Sequence, residues 1–393
     1  MRKKLALATI LLGTSFSSFG ITFEYPYLYK DPRVLGMGNA YVAVGGTSSA
    51  VFYNPAGLAR IDKKAGWEVD LLNVSVAYGK NSISFFNDLM DATDAQDGDY
   101  IKPPDGDDGD DQAYAVNQVI DKYQGENLHL EINNYSSIAK KGEKIGFTIG
   151  FLGSVINNTI PHQGFGIEGV IEEHLKITGG AILGLSYDLF NGNLNVGASI
   201  KGMYRKVVDH YYTTREIVEE DDLGDYTLNV LAKDGTAISG DIGIIYNFEN
   251  FKYLSPIAWL NPSVGVSILN IGDLDFGDAG KIPMTVNTGL ALRPNIPWFK
   301  WTLAFDFVDI TKNFEEDDDL GKRIRAGLEV KFWDNKWTTF ALRGGVYQSY
   351  PTFGAELRLA LLRFNFTTYS EEVGAYAGQK EDRRYLINVA LGW

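Results

Sequence analysis

Lys201, Arg205, Arg323, Arg325, Glu329 and Arg343 are the residues most regularly placed for chemistry. They fall at alternating positions of strand-like segments and so share one face. The face carries more base than acid, which suits capture of a carboxylate ligand. The same residues also suit a salt-bridge and hydrogen-bond network that fills a barrel and holds a plug. Other chemistries find little support. The chain has no Cys, and its four histidines, His129, His162, His174 and His210, are scattered. No H-E-x-x-H or G-x-S-x-G pattern exists. Gly36-Met37-Gly38 starts like a dinucleotide loop, but Tyr41 stands where the third glycine belongs. The run Asp105 to Asp111 offers carboxylates at a spacing that does not match a calcium loop. The chain therefore reads as a non-enzyme with no cofactor and no metal centre.

The elements that would position these charges are strands. Leu72, Val74, Val76 and Tyr78 alternate with small or polar residues, and so do Ile145 to Phe151, Leu183 to Tyr187 and Leu194 to Ile200. The pattern continues through Ile238 to Phe248, Phe299 to Phe307, Ile324 to Phe332 and Phe353 to Leu359. Counted from Trp67 this gives about 14 strands, an even number as bacterial outer-membrane barrels require. Connections alternate long and short. The long ones cover about 79–127, 157–167, 209–235, 272–282, 312–321 and 371–383; the short ones centre on Gly142, Asn191, Pro294, Asn335 and Leu361. Two connections break the pattern: Glu249 to Leu260 is long for a periplasmic turn, and Tyr347 to Pro351 is short for an external loop.

A soluble sandwich would alternate in the same way. The charged inner face and the chain's end favour lipid outside. Tyr385, Ile387, Val389, Leu391 and Trp393 place apolar or aromatic residues at every second position up to the last residue. That ending resembles the signal read by the outer-membrane barrel assembly machinery. At the other end, Arg2, Lys3 and Lys4 precede an apolar stretch and Ser18-Phe19-Gly20, the pattern of a secretory leader. The expected organisation is a leader over 1–20, an N-terminal hatch or plug over 21–66 and an outer-membrane barrel over 67–393. The fold class is all-β: a transmembrane antiparallel β-barrel with the hatch inside its lumen. The location is the bacterial outer membrane, after leader-dependent export.

The net charge is −14, and most of the acid sits in the expected external loops. The segment 79–127 has twelve acidic residues against three lysines. This suits a solvated surface beside outer-membrane lipid and lipopolysaccharide and disfavours nucleic acid. In the same loop Phe85, Phe86, Leu89 and Met90 are candidates for capturing a hydrophobic ligand, or for packing the loop on the rim.

Leu35-Gly36-Met37-Gly38-Asn39-Ala40 and Phe52-Tyr53-Asn54-Pro55-Ala56-Gly57-Leu58 carry a family resemblance. Following a leader and preceding a barrel that closes on an aromatic residue, they resemble the long-chain fatty-acid transporter superfamily of FadL and TodX type. PorV-like proteins of secretion and TraF-like barrels of conjugation are relatives. The resemblance implies a 14-stranded barrel blocked by a hatch, with Gly36, Gly38, Asn54, Pro55 and Ala56 in the hatch motif. It implies passive uptake of a hydrophobic small molecule, fatty-acid or hydrocarbon-like. The alternative is a barrel that docks secretion, conjugation or envelope-assembly proteins; a plain diffusion pore is a third reading.

Overall fold

The computed structural model describes residues 24–63, 66–94, 111–163, 169–219, 223–248, 258–294, 296, 300–315, 319–335 and 337–393. The expected leader, the acidic run from Asp105 to Asp110 and most of the connection after Glu249 lie outside the described residues. The strands are β1 (Trp67–Gly79), β2 (Leu128–Lys141), β3 (Ile145–His162), β4 (Val170–Leu189), β5 (Leu194–Thr213), β6 (Lys233–Asn247) and β7 (Ser263–Ile271). They continue as β8 (Thr285–Leu292), β9 (Lys300–Phe307), β10 (Ile324–Asp334), β11 (Thr338–Tyr347), β12 (Tyr350–Leu359), β13 (Leu362–Glu372) and β14 (Glu381–Gly392). Each pairs antiparallel with its neighbours in sequence, and β1 pairs with β14 to close the barrel. The last residue takes part in closure: Val69 and Trp393 exchange both backbone hydrogen bonds at 2.9 Å. Closure leaves the barrel sheet, among the described residues, without a free edge.

The two faces differ as the alternation requires. Outward positions carry exposed apolar side chains, among them Leu183, Leu185, Phe305, Phe366 and Ile387, which form the lipid-facing belt. Inward positions carry Asn133, Ser137, Thr148, Asn195, Asp241, Glu329 and Arg343, all buried. Tyr385, Ile387, Val389 and Leu391 lie on the outward face of β14. One irregularity interrupts β1. The register shifts after Asp70, and the adjacent Leu71 and Leu72 are both exposed. Side chains replace the missing ladder bonds there: Ser136 Oγ donates to the Leu71 carbonyl at 2.8 Å, and Asn73 N donates to Asn134 Oδ1 at 3.1 Å.

Strand lengths are unequal. β4 and β5 have 20 residues each, whereas β8 and β9 have 8. A tilted strand crosses a bilayer in about 9–11 residues, so β3 to β5 rise beyond it on the long-loop side. This corrects two expected boundaries. β3 runs to His162 and β4 starts at Val170, so residues 157–162 are strand rather than loop. The connection around 209–235 narrows in the same way, because β5 continues to Thr213. The short external connection after Tyr347 is real. Gln348 and Ser349 both have positive φ (50° and 73°), which closes β11 onto β12 as a two-residue hairpin. The long connection after Asn247 is drawn shut at its base, where Phe248 N donates to the Pro262 carbonyl at 3.0 Å.

Candidate functional site: the hatch and the chamber above it

Residues 24–61 pack against the inner faces of the strands, and most of them are buried. The segment contains one short helix, α1 (Pro32–Gly36), and two 3-10 turns, Ser48–Phe52 and Pro55–Arg60. Asp31 starts α1 by accepting hydrogen bonds from Arg33 N (2.9 Å) and Val34 N (3.2 Å), with Pro32 at the first helical position. Asn54 has a larger role. Its Oδ1 accepts from Ala56 N at 3.1 Å and caps the second turn, where Pro55 supplies a fixed φ. Its Nδ2 donates to the carbonyl of Val42 at 2.8 Å and reaches Ile244 and Val266 on the wall at 3.2 and 3.3 Å. One side chain thus ties the turn, the preceding hatch segment and two strands.

The strands receive the hatch through glycine. A Cβ on Gly197 would stand 2.4 Å from Ala56 N, and one on Gly243 would stand 1.9 Å from Asn54 Oδ1. Gly327 and Gly345 make the same allowance for Met37 and Gly38, and Gly354 does so for Gly36. Gly38 itself has φ +63° and donates its N–H to Thr352 Oγ1 at 3.1 Å. The hatch motif is therefore half of a contact whose other half is a set of inward glycines.

Charges latch the hatch to the wall. Arg33 makes two 2.7 Å hydrogen bonds to the two carboxylate oxygens of Glu329. Arg343 approaches the same carboxylate at 2.7 Å and also pairs with Glu356. Asp306 Oδ2 accepts from the backbone N–H groups of Tyr41 (2.5 Å) and Val42 (2.8 Å). Lys30 pairs with Glu371. Arg384 donates to Glu24 at 2.7 Å. Burial opposes ionisation of Glu24, but Arg384 and Lys30 hold its carboxyl well below the usual range.

The six expected lumen charges all face inward, and most are committed to partners. Lys201 pairs with Asp241 at 2.7 Å. Arg323 pairs with Asp309 at 3.2 Å. Glu329 and Arg343 belong to the latch. Arg205 donates to Thr178 Oγ1 at 3.1 Å and stacks under the Phe276 ring, 4.2 Å from its centroid. The generally basic, ligand-attracting lumen is corrected accordingly: acids and aromatic rings occupy these cations. Arg325 differs. It lines a cavity of about 90 Å³ beneath the strap Tyr25–Lys30, on the long-loop side of the hatch. Tyr29, Phe52, Tyr53, Asn270 and Tyr347 share its lining. The connection after β7 folds inward beside it as a small hairpin, Leu274–Asp275 with Lys281–Ile282. This places Leu274, Phe276 and Ile282 in the same buried cluster as the hatch.

The proposed capture residues lie on helix α2 (Ser82–Thr93). Phe85 is fully buried, edge-on to Tyr123 at 5.4 Å and packed with Leu128, Ile171 and Tyr212. Phe86 and Leu89 are half-buried against that cluster, and Met90 is exposed. Phe85 is corrected from capture surface to anchor: it pins α2 and helix α3 (Asp111–Lys122) to the raised ends of β2, β4 and β5. Sequence reasoning missed the seat glycines and the tyrosine strap. The run Tyr25-Pro26-Tyr27-Leu28-Tyr29 was the available signal for the last of these.

No protein-family model and no curated protein matches the sequence. Solved structures do match in fold. The Ralstonia pickettii toluene transporter TbuX is similar at a TM-score of 0.51 and 13% identity, with 92% of this chain and 98% of that one covered. The Pseudomonas putida toluene transporter TodX is similar at a TM-score of 0.52 and 12% identity, with 94% and 98% covered. At such identities the likeness is one of fold: the chain is a closed 14-stranded antiparallel barrel of the fold seen in TbuX and TodX.

Proposed function

We propose that this barrel admits hydrophobic small molecules passively across the bacterial outer membrane, with the N-terminal segment 21–66 as its gate. The observation that carries the reading is the partly open, aromatic-rich cavity on the long-loop side, set directly on the buried hatch that crosses the barrel. A plain pore has no use for such a filling, and a small concave site with apolar walls and a few polar groups is what ligand capture uses. Hatch movement would then connect the chamber to the far side by shifting a population between closed and open arrangements. Leader-directed export and insertion by the assembly machinery belong to the same reading. The test is uptake of a radiolabelled monoaromatic hydrocarbon by cells that lack other hydrophobic-compound channels and produce this barrel. Faster initial uptake than in cells without it is expected, together with little steady ion conductance in planar bilayers. Large steady conductance would identify a diffusion pore. Unchanged uptake with a stoichiometric protein bound to the purified barrel would identify a docking barrel.

A further inference from the structure

We propose that the chamber beneath the Tyr25–Lys30 strap binds a small aromatic carboxylate, with Arg325 as its counter-ion. The proposal rests on the uptake reading and narrows it to a ligand class. Arg325 projects inward from β10 to the place where the hatch turns at Asn39. Its Nη1 donates to the Asn39 carbonyl at a long 3.4 Å, and its buried Nε has no partner. Among the described residues no carboxylate lies within ion-pair distance of it. Asp306, opposite it across the β9–β10 ladder, gives Oδ2 to the N–H groups of Tyr41 and Val42, and its buried Oδ1 has no hydrogen-bond partner but lies outside ion-pair distance of Arg325. Glu329 is held by Arg33 and Arg343, and Glu371 by Lys30 and Tyr347.

A guanidinium offers five N–H donors in a fork that matches a carboxylate. Here one weak acceptor serves that fork. The cation is half-buried with its buried Nε unserved, so a carboxylate entering the chamber meets a site already prepared. The walls specify the rest of the ligand. The Tyr347 ring lies 5.3 Å from the Arg325 guanidinium, and Tyr29 and Phe52 pack against each other in the lining, their ring centroids 4.8 Å apart. The aromatic lining suits a flat ring better than an extended acyl chain.

Isothermal titration of the detergent-folded full-length barrel with benzoate, methyl benzoate, octanoate and toluene tests this. Benzoate should bind at least about tenfold more tightly than its uncharged ester, the value of one charge-assisted interaction, and more tightly than octanoate. Arg325→Gln should abolish the advantage of the acid over the ester and leave toluene unchanged. If Arg325→Gln gives no heat-modifiable folded barrel, the acid–ester comparison on the unaltered protein decides alone. Equal binding of acid and ester, or octanoate binding as tightly as benzoate, would overturn the proposal. Toluene binding without benzoate binding overturns it while leaving the uptake reading intact, and binding of none of the four overturns both.

Discussion

At the scale of single residues, the fit between hatch and barrel turns on positions where a side chain is missing. Gly243 faces inward from β6, and its absent Cβ would lie 1.9 Å from Asn54 Oδ1 and 3.1 Å from Pro55 Cδ. Its backbone is ordinary extended strand, so a larger residue there meets a packing obstacle and no backbone strain. Gly243→Ala should therefore cost about 1–3 kcal/mol, the range for overfilling a tight interior. The cost should appear as a lower urea midpoint for loss of heat-modifiable gel mobility. Asn54→Ala alone removes the turn cap and the Nδ2 contacts, worth about 1–2 kcal/mol together. In the Asn54→Ala background most of the clash is gone, so adding Gly243→Ala should cost markedly less than it does in the unaltered protein. This coupling is the quantity to measure. Additive costs would show that the two residues do not meet.

At the scale of elements, α2 and α3 roof one side of the barrel because Phe85 joins them to β2, β4 and β5. Phe85→Ala should empty that joint at about 3–5 kcal/mol of local packing. Trypsin should then cut at Lys80 and Lys122 several-fold faster, with the barrel itself unaffected; unchanged cleavage would place the anchor elsewhere. Legibility in the sequence divides along similar lines. The fourteen strands, their inward and outward faces and the closing residues were readable because a period of two runs through the strands, broken only locally at irregularities such as the one in β1. The apolar residues Phe85, Phe86, Leu89 and Met90 were readable in this loop, yet which of them would be buried was not, since capture and anchoring call for the same side chains. The seat glycines were invisible for a different reason. Gly197, Gly243 and Gly327 each interrupt a strand pattern only slightly, and their purpose exists in the hatch, more than a hundred residues away. The inward-folding hairpin Leu274–Asp275 with Lys281–Ile282 was concealed in the same way, because its apolar residues are few and their partners are distant.

At the scale of the molecule, the hatch is either a movable gate or a permanent filling, and Glu329 separates the two. Its carboxylate lies between Arg33 of the hatch and Arg343 of the wall, so it is the shared centre of a latch rather than part of either body alone. Glu329→Gln keeps the shape and removes the charge, leaving two guanidinium groups without their common acid. Breaking a buried pair in this way costs about 3–5 kcal/mol. Where that energy appears depends on what the hatch does. If closed and open arrangements interconvert, the part of the loss that comes from the Arg33 pair falls on the closed state alone, while the wall pair with Arg343 is lost in both. A shift of about 3 kcal/mol raises the open population by roughly two decades. Planar-bilayer recordings should then show conducting events far more often, and the urea midpoint of the barrel should change little. If the hatch is a fixed part of the core, the same energy comes out of global stability: the midpoint falls and the recordings stay quiet. The first outcome is expected, because the strap, the Arg33 latch and the Asp306 contacts are polar attachments on one side of the hatch. Polar attachments of this kind can be exchanged with water or with an arriving ligand at little net cost. A quiet bilayer combined with a lowered midpoint would remove the gate from the proposed function and leave the chamber as a closed binding site.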